Sequence, residues 1–168
     1  NPISRSETRR REVNGAFFEL VREGIVNALV HRDYGIRGAK CQLIVTPGKV
    51  VVRSPGKPVD PITLEQMQTF NAPMLSRNPV MHYVFSRMEI AEERGMGLRS
   101  MRYRAEQVGL PLPHYAWDNP YLTLSLHQSA TGAAIDLAPD VLARLGRDER
   151  KGWEFLITKT VVTRMAYA

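Results

Sequence analysis

The chain has 168 residues, 43% of them hydrophobic and 24% charged, an ordinary globular composition and enough length for one domain with a sizeable core. No apolar run approaches the ~20 residues of a membrane-spanning helix, and no secretory leader pattern opens the chain. The formal charge of +6 permits contact with nucleotide or nucleic acid without requiring either, and the single cysteine, Cys41, excludes an internal disulfide and fits a reducing compartment, so a cytoplasmic location is expected. A chain that starts at Asn1 rather than Met is expected to be a piece of a longer protein.

Residues 1–16 are polar and charged, with Arg9, Arg10 and Arg11 reading as the solvated start of a helix. From Phe17 to about His31 the apolar residues recur at helical spacing around most of the circumference, which predicts a central, buried helix. Asp33, Tyr34 and Gly35 then form a turn, with Gly35 and Gly38 as stop signals. Strands over Cys41–Thr46 and Lys49–Arg53 flank Pro47–Gly48 and form a hairpin, with Cys41 placed in the core. An irregular loop follows at Ser54–Pro55–Gly56. Short helices are expected over Ile62–Phe70, with Asp60 or Thr63 near its start, and from an Asn78–Pro79 cap to about Met88. Arg94–Gly95–Met96–Gly97 precedes a basic helix, Leu98–Val108. His114–Trp117 and Tyr121–His127 read as two more strands, Ser129–Gly132 as a linker, and Pro139–Leu145 and Asp148–Ile157 as two short helices. Strands that arrive in hairpins favour a two-layer α/β sandwich over a doubly wound parallel sheet.

The chemistry concentrates on the first helix. Glu19, Glu23, Asn27 and His31 are spaced four apart and so form one line along a face. Buried without partners, a carboxylate and an amide there would cost several kcal/mol. They must meet other polar groups, solvent or a ligand. A Glu one turn from an Asn suits metal-dependent phosphate chemistry, because the amide oxygen is a hard ligand for Mg²⁺ and the carboxylate can take a proton from an attacking water. A seam that faces solvent or caps neighbouring loops satisfies the same spacing. Gly95 and Gly97 before a helix would let backbone N–H groups approach a phosphate, although a Gly-x-Gly is equally a turn. The Ser54–Gly56 loop could receive a base or a ribose, or be a plain turn. No Gly-x4-Gly-Lys-Ser/Thr loop, Gly-x-Ser-x-Gly elbow or Cys/His zinc cluster is present, and the four histidines are dispersed.

The run Arg22-Glu-Gly-Ile-Val-Asn-Ala-Leu-Val-His-Arg-Asp-Tyr34 resembles the signature helix of a bacterial family of predicted transcriptional regulators. Those proteins join an AlbA/Schlafen-like domain to a GHKL-type ATPase domain, also labelled RecG-helicase C-terminal-like, followed by a helix-turn-helix. The resemblance continues through Ser54-Pro-Gly56, Ser76-Arg-Asn-Pro79, Arg94-Gly-Met-Gly-Leu98 and Gly109-Leu-Pro-Leu-Pro113, and covers roughly residues 13–128. It implies a Bergerat-type sandwich, with a mixed sheet, helices on one face and a short helical C-terminal appendix. Residues 1–130 would be the ATPase-like domain and 131–168 a linker with the incomplete start of a helix-turn-helix.

The resemblance further implies ATP and Mg²⁺ as cofactors. Glu23 is then the catalytic base and Asn27 the metal ligand; His31, Asp33, Ser54, Gly56, Arg94, Gly95 and Gly97 join Asn27 around the nucleotide. Ser54 stands where GHKL proteins generally carry an adenine-reading Asp. The implied partners are nucleotide, DNA through the full-length protein, and a homodimer, with no membrane. Two other readings stay open: a GHKL fold that no longer binds nucleotide and serves as a dimerisation or coupling scaffold, and direct nucleic-acid contact through Arg94, Arg99, Arg102 and Arg104.

Overall fold

The computed structural model describes residues 4–91, 97–137 and 139–159. Helix α1 spans Arg5–Val30, a full twelve residues further toward the N-terminus than its apolar periodicity predicts. Arg5–Glu12 is exposed and only Val13 and Ala16 touch the core, too little of a stripe to announce these turns. Their signal is the capping box: the Ser4 hydroxyl accepts from the Glu7 N–H at 3.2 Å, while the Glu7 carboxylate accepts from the Ser4 N–H at 3.2 Å.

Strands β1 (Gln42–Thr46) and β2 (Lys49–Pro55) form the expected hairpin around Gly48, whose φ of +78° suits a glycine. Helices α2 (Leu64–Gln68), α3 (Pro79–Arg87) and α4 (Gly97–Val108) follow, then the second hairpin, β3 (His114–Asp118) and β4 (Tyr121–His127). Thr63 caps α2 in a box with Gln66. The two hairpins join through β2 and β4 into one sheet of order β1-β2-β4-β3.

A two-layer α/β arrangement results, with two departures from expectation. The four described strands are antiparallel throughout rather than mixed, because the excursion from β2 through three helices returns as a hairpin whose second strand runs against β2. Helices also reach both faces. Val50, Val52, Leu124 and Leu126 point at α1, and with Phe17, Leu20, Met101, Ala105 and Tyr115 they form the core. Lys49 and His127 leave the sheet on the other side and meet Asp136 of helix α5 (Ala130–Leu137). A helix therefore begins inside the segment expected to be a linker, and α6 (Pro139–Arg144) and α7 (Arg147–Leu156) come after it as predicted. Backbone pairing from the Leu112 N–H to the Ile157 carbonyl, 3.1 Å, ties the end of α7 to the start of the second hairpin.

Gly24 explains how closely α1 lies on the sheet. A Cβ there would come within 2.7 Å of Leu124 Cδ2 and 3.6 Å of Val52 Cγ2. Cys41 is displaced from its expected core position: it precedes β1, an edge strand, and is only half-buried, with its thiol 3.6 Å from the Ala28 carbonyl of α1. Leu43, Ile44 and Val45 are accordingly exposed.

Candidate functional site

Beyond Asn27 the C-terminal carbonyls of α1 lack helical partners, and side chains from the following turn and from distant segments serve them. Asn27 O accepts from the His31 N–H at 2.9 Å. Ala28 O takes the Ser54 hydroxyl at 2.6 Å, Leu29 O the Tyr34 hydroxyl at 3.1 Å, and Val30 O the Asn78 amide at 2.8 Å. The same Asn78 amide reaches Arg32 O at 2.8 Å, and Arg77 donates through Nε to His31 O at 3.0 Å. Arg77 also meets the Asp33 carboxylate at 3.4 Å and Lys57 O at 2.6 Å. Asn78, expected as the N-cap of α3, makes no side-chain cap bond; its amide is committed to α1. The Ser76–Pro79 stretch thus works as a clasp that joins the end of α1, the turn at Asp33 and the loop after β2.

This clasp holds open a cavity of about 640 Å³ between α1, the ends of β2 and β4, the α2–α3 connection and the start of α4. One part of its wall is apolar, with Val52, Ile62, Met67, Leu122 and Leu124. Another part is polar, with Glu23, Asn27, His31, His82 and Arg99. The stripe on α1 is divided by this geometry. Glu19 turns away into ion pairs with Arg22 at 3.5 Å and Arg104 at 3.3 Å, while Glu23, Asn27 and His31 face the cavity.

Asn27 Nδ2 donates to Glu23 Oε1 at 3.0 Å. With the amide N–H turned to the carboxylate, its carbonyl oxygen is left as an acceptor, the atom that can serve a hard cation. Gly97 completes this corner. A Cβ on Gly97 would overlap Glu23 Oε1 and lie 3.4 Å from Asn27 Nδ2, so a larger residue at the start of α4 would displace the Glu23 carboxylate from the pair. Among the described residues no group of three or more His, Cys, Asp and Glu could hold a metal ion. One amide oxygen fits a Mg²⁺ that keeps waters and draws its other ligands from phosphates, not an all-protein cage.

His31 is held neutral, its pKa lowered to about 4, first by burial and then by the neighbouring His82 and Arg77. Ser54 and Gly56 both line the cavity. Gly56 has φ +114°, and a Cβ there would stand 2.6 Å from Asp33 Cβ, so the loop packs backbone-close on the turn that follows α1. Asp33 itself is not on the wall. Its carboxylate accepts from the Gly35 N–H at 2.9 Å and pairs with Arg77, and its N–H is bonded to Pro55 O at 2.7 Å.

Of the predicted site residues, Glu23, Asn27, His31, Ser54, Gly56 and Gly97 are brought around one cavity, and Asp33 stands behind it. Arg94 and Gly95 lie outside the described residues. His82, Arg99, Lys57 and Tyr115 also line the cavity and carry no sequence signal for it, since each comes from a different segment. The clasp residue Arg77 was visible only as part of a motif. Among the described residues no helix is long and apolar enough to cross a membrane.

A family model described as "Putative ATP-dependent DNA helicase recG C-terminal" matches residues 38–126, about half of the chain. The match begins after α1, so Glu23 and Asn27 lie outside it. No functionally curated protein matches the sequence significantly. The fold is similar to that of the DIP2311 protein from Corynebacterium diphtheriae, a crystal structure, with a TM-score of 0.56 over 64% of this chain at 23% sequence identity. The match takes up 22% of that chain, so the present chain spans only a minor part of its length.

Proposed function

We propose, for a chain that belongs to this recG C-terminal family of ATPase-like domains, that the cavity beneath α1 is a nucleotide site that takes ATP with Mg²⁺. One observation carries the reading. Asn27 is turned by Glu23 so that its amide oxygen is left for a cation, at the point where Gly97 brings the start of α4 against the pair. A helix start attracts phosphate through its unpaired N–H groups. Arg99 and His82 add polar groups to the same wall, and the apolar part accommodates a heterocycle. When bound, Mg²⁺ would neutralise the phosphate charge. Among the described residues Asn27 would supply a ligand to it, and Glu23 orients that amide and is the group placed to accept a proton from water. In the same proposal the site hydrolyses ATP, the domain ends near residue 130, and the module acts as a homodimer within a DNA-binding transcriptional regulator.

Calorimetric titration of the protein with ATP, with and without Mg²⁺, tests the site. Saturable binding that weakens on chelation is expected. No heat and no thermal shift at millimolar nucleotide would remove the proposal.

A coupling scaffold without nucleotide is the second reading, favoured by the exposed run Leu43–Ile44–Val45 on the edge strand. Glu23→Gln separates the two: an ATPase loses turnover with its fold intact, whereas a scaffold changes only in stability.

A further inference from the structure

The two edges of the sheet are finished differently. At β3 the Gln68 amide donates to the outward Tyr115 carbonyl at 2.9 Å, and the strand ends on the charged Asp118. β1 reads Gln-Leu-Ile-Val-Thr and pairs with β2 residue for residue, so it has no charge, proline or bulge to guard its free edge. The turn at Pro47–Gly48 closes on the Thr46–Lys49 pair, and with only two residues between them that pair is of the hydrogen-bonded kind. Alternation then sends the N–H and C=O groups of Leu43 and Val45 outward, where no backbone group meets them among the described residues.

The side chains leave the same edge open. Leu43 and Val45 lie beside Val52 and Val50 on the face that carries α1, yet they are 52% and 68% exposed. Ile44, on the other face, is exposed as well. Gly24 of α1 faces the sheet and Glu23 faces the start of α4, so at about 100° per residue Phe18, Val21 and Ile25 fall on the flank away from α4. α4 lies on the β3 side, where the Tyr115 hydroxyl meets Met101, so that flank looks over β1. Phe18 is 66% exposed there.

We propose that β1 is a homodimer interface: a second copy of this chain lays its own β1 antiparallel against it, about a two-fold axis at Ile44, and joins two four-stranded sheets into one. This deepens the homodimer of the reading above by giving it a surface, and it requires no nucleotide. The strand is complementary to itself. The axis sets Leu43 opposite Val45 of the partner subunit, and both present outward N–H and C=O groups, so each of the two equivalent pairs exchanges two backbone hydrogen bonds. Gln42 falls opposite Thr46 of the partner subunit, and Ile44 opposite its own equivalent in a close pair without hydrogen bonds. In a chain of formal charge +6, an uncharged strand lets two copies meet without like charges opposed. Four large apolar side chains and one backbone edge per copy suit the lower end of standard interface size, roughly 1,200 Å² in total, and so a reversible dimer.

Sedimentation equilibrium from micromolar to submillimolar protein should show a monomer–dimer equilibrium. Val45→Pro removes an N–H that β2 does not use, so it should give a monomer with an unchanged circular dichroism spectrum. In a Cys41→Ser background, Ile44→Cys should cross-link to its equivalent under mild oxidation, because facing Cα atoms of such a pair stand about 4.5 Å apart, within disulfide reach. Leu43→Cys, which faces Val45, should not. A native protein that stays monomeric at submillimolar concentration would overturn the interface and the homodimer together. A Val45→Pro protein that still dimerises, or cross-linking at Leu43→Cys and not at Ile44→Cys, would overturn this interface and leave the homodimer standing.

Discussion

Replacing Gly56 by alanine should destabilise the protein by about 3 kcal/mol, the sum of backbone strain and of a hydrogen bond disturbed by a steric clash. The residue sits at φ +114°, where an L side chain is strained by about 1–3 kcal/mol. The new Cβ would stand 2.6 Å from Asp33 Cβ and 3.3 Å from Asp33 N. Carbon atoms rest about 3.5–4.0 Å apart, so the loop must retreat from the turn by about 1 Å. That retreat pulls on the 2.7 Å bond from the Asp33 N–H to Pro55 O, worth about 1 kcal/mol. Gly38 is the control, with φ +81° and no atom within 4 Å of its Cβ position, so alanine there bears only the backbone term of about 1–2 kcal/mol. Urea unfolding followed by far-ultraviolet circular dichroism would measure both variants, with unchanged m values confirming comparable denatured states. A Gly56→Ala protein no less stable than Gly38→Ala would refute the claim that close packing on Asp33, rather than backbone conformation alone, requires the glycine.

Other outcomes follow from the same structure. His31 is neutral in the folded state, with a pKa near 4 against 6.5 unfolded, so the unfolded chain binds more protons between those values and stability falls as pH drops. The loss between pH 7 and pH 5 should be about 2 kcal/mol, and His31→Gln should flatten it; an identical pH profile in the variant would contradict the assignment. Arg77→Lys keeps the charge but cannot serve His31 O, Asp33 and Lys57 O together, so a loss of about 2 kcal/mol in urea unfolding is expected. Gly97→Ala would push a methyl group into the Glu23–Asn27 pair and should weaken binding of ATP with Mg²⁺ by about 10-fold or more, since a shift of this kind breaks a charge-assisted bond. Asp136→Asn weakens the contacts to Lys49 and His127 that hold α5 on the sheet, and faster amide exchange confined to α5 should report it.

Local pattern was enough for most elements. Apolar periodicity located the buried part of α1, Pro47–Gly48 and the alternation of Leu122, Leu124 and Leu126 located the two hairpins, and Asn78–Pro79 located the start of α3. Each of these signals lies within a few residues of what it specifies. Spacing alone also put Glu19, Glu23, Asn27 and His31 on one line, and the resemblance selected Glu23 and Asn27 from it.

What lay beyond the sequence depended on contacts between distant segments. The turns of α1 before Phe17 carry too little of a stripe, so their helix was announced only by Ser4 and Glu7. The antiparallel joining of β2 to β4 depends on how the chain returns after three helices, and no residue in either strand encodes that direction. The commitment of Asn78 and Arg77 to the carbonyls of α1, the diversion of Asp33 from the cavity into an ion pair, and the locking of the Ser54 proton on Ala28 all join groups 26 or more positions apart. A hydrogen bond has an identity only once both partners are in place. The sequence by itself determined which residue types were available to a site on α1; tertiary structure alone decided which of them face the cavity and which are consumed in holding it open.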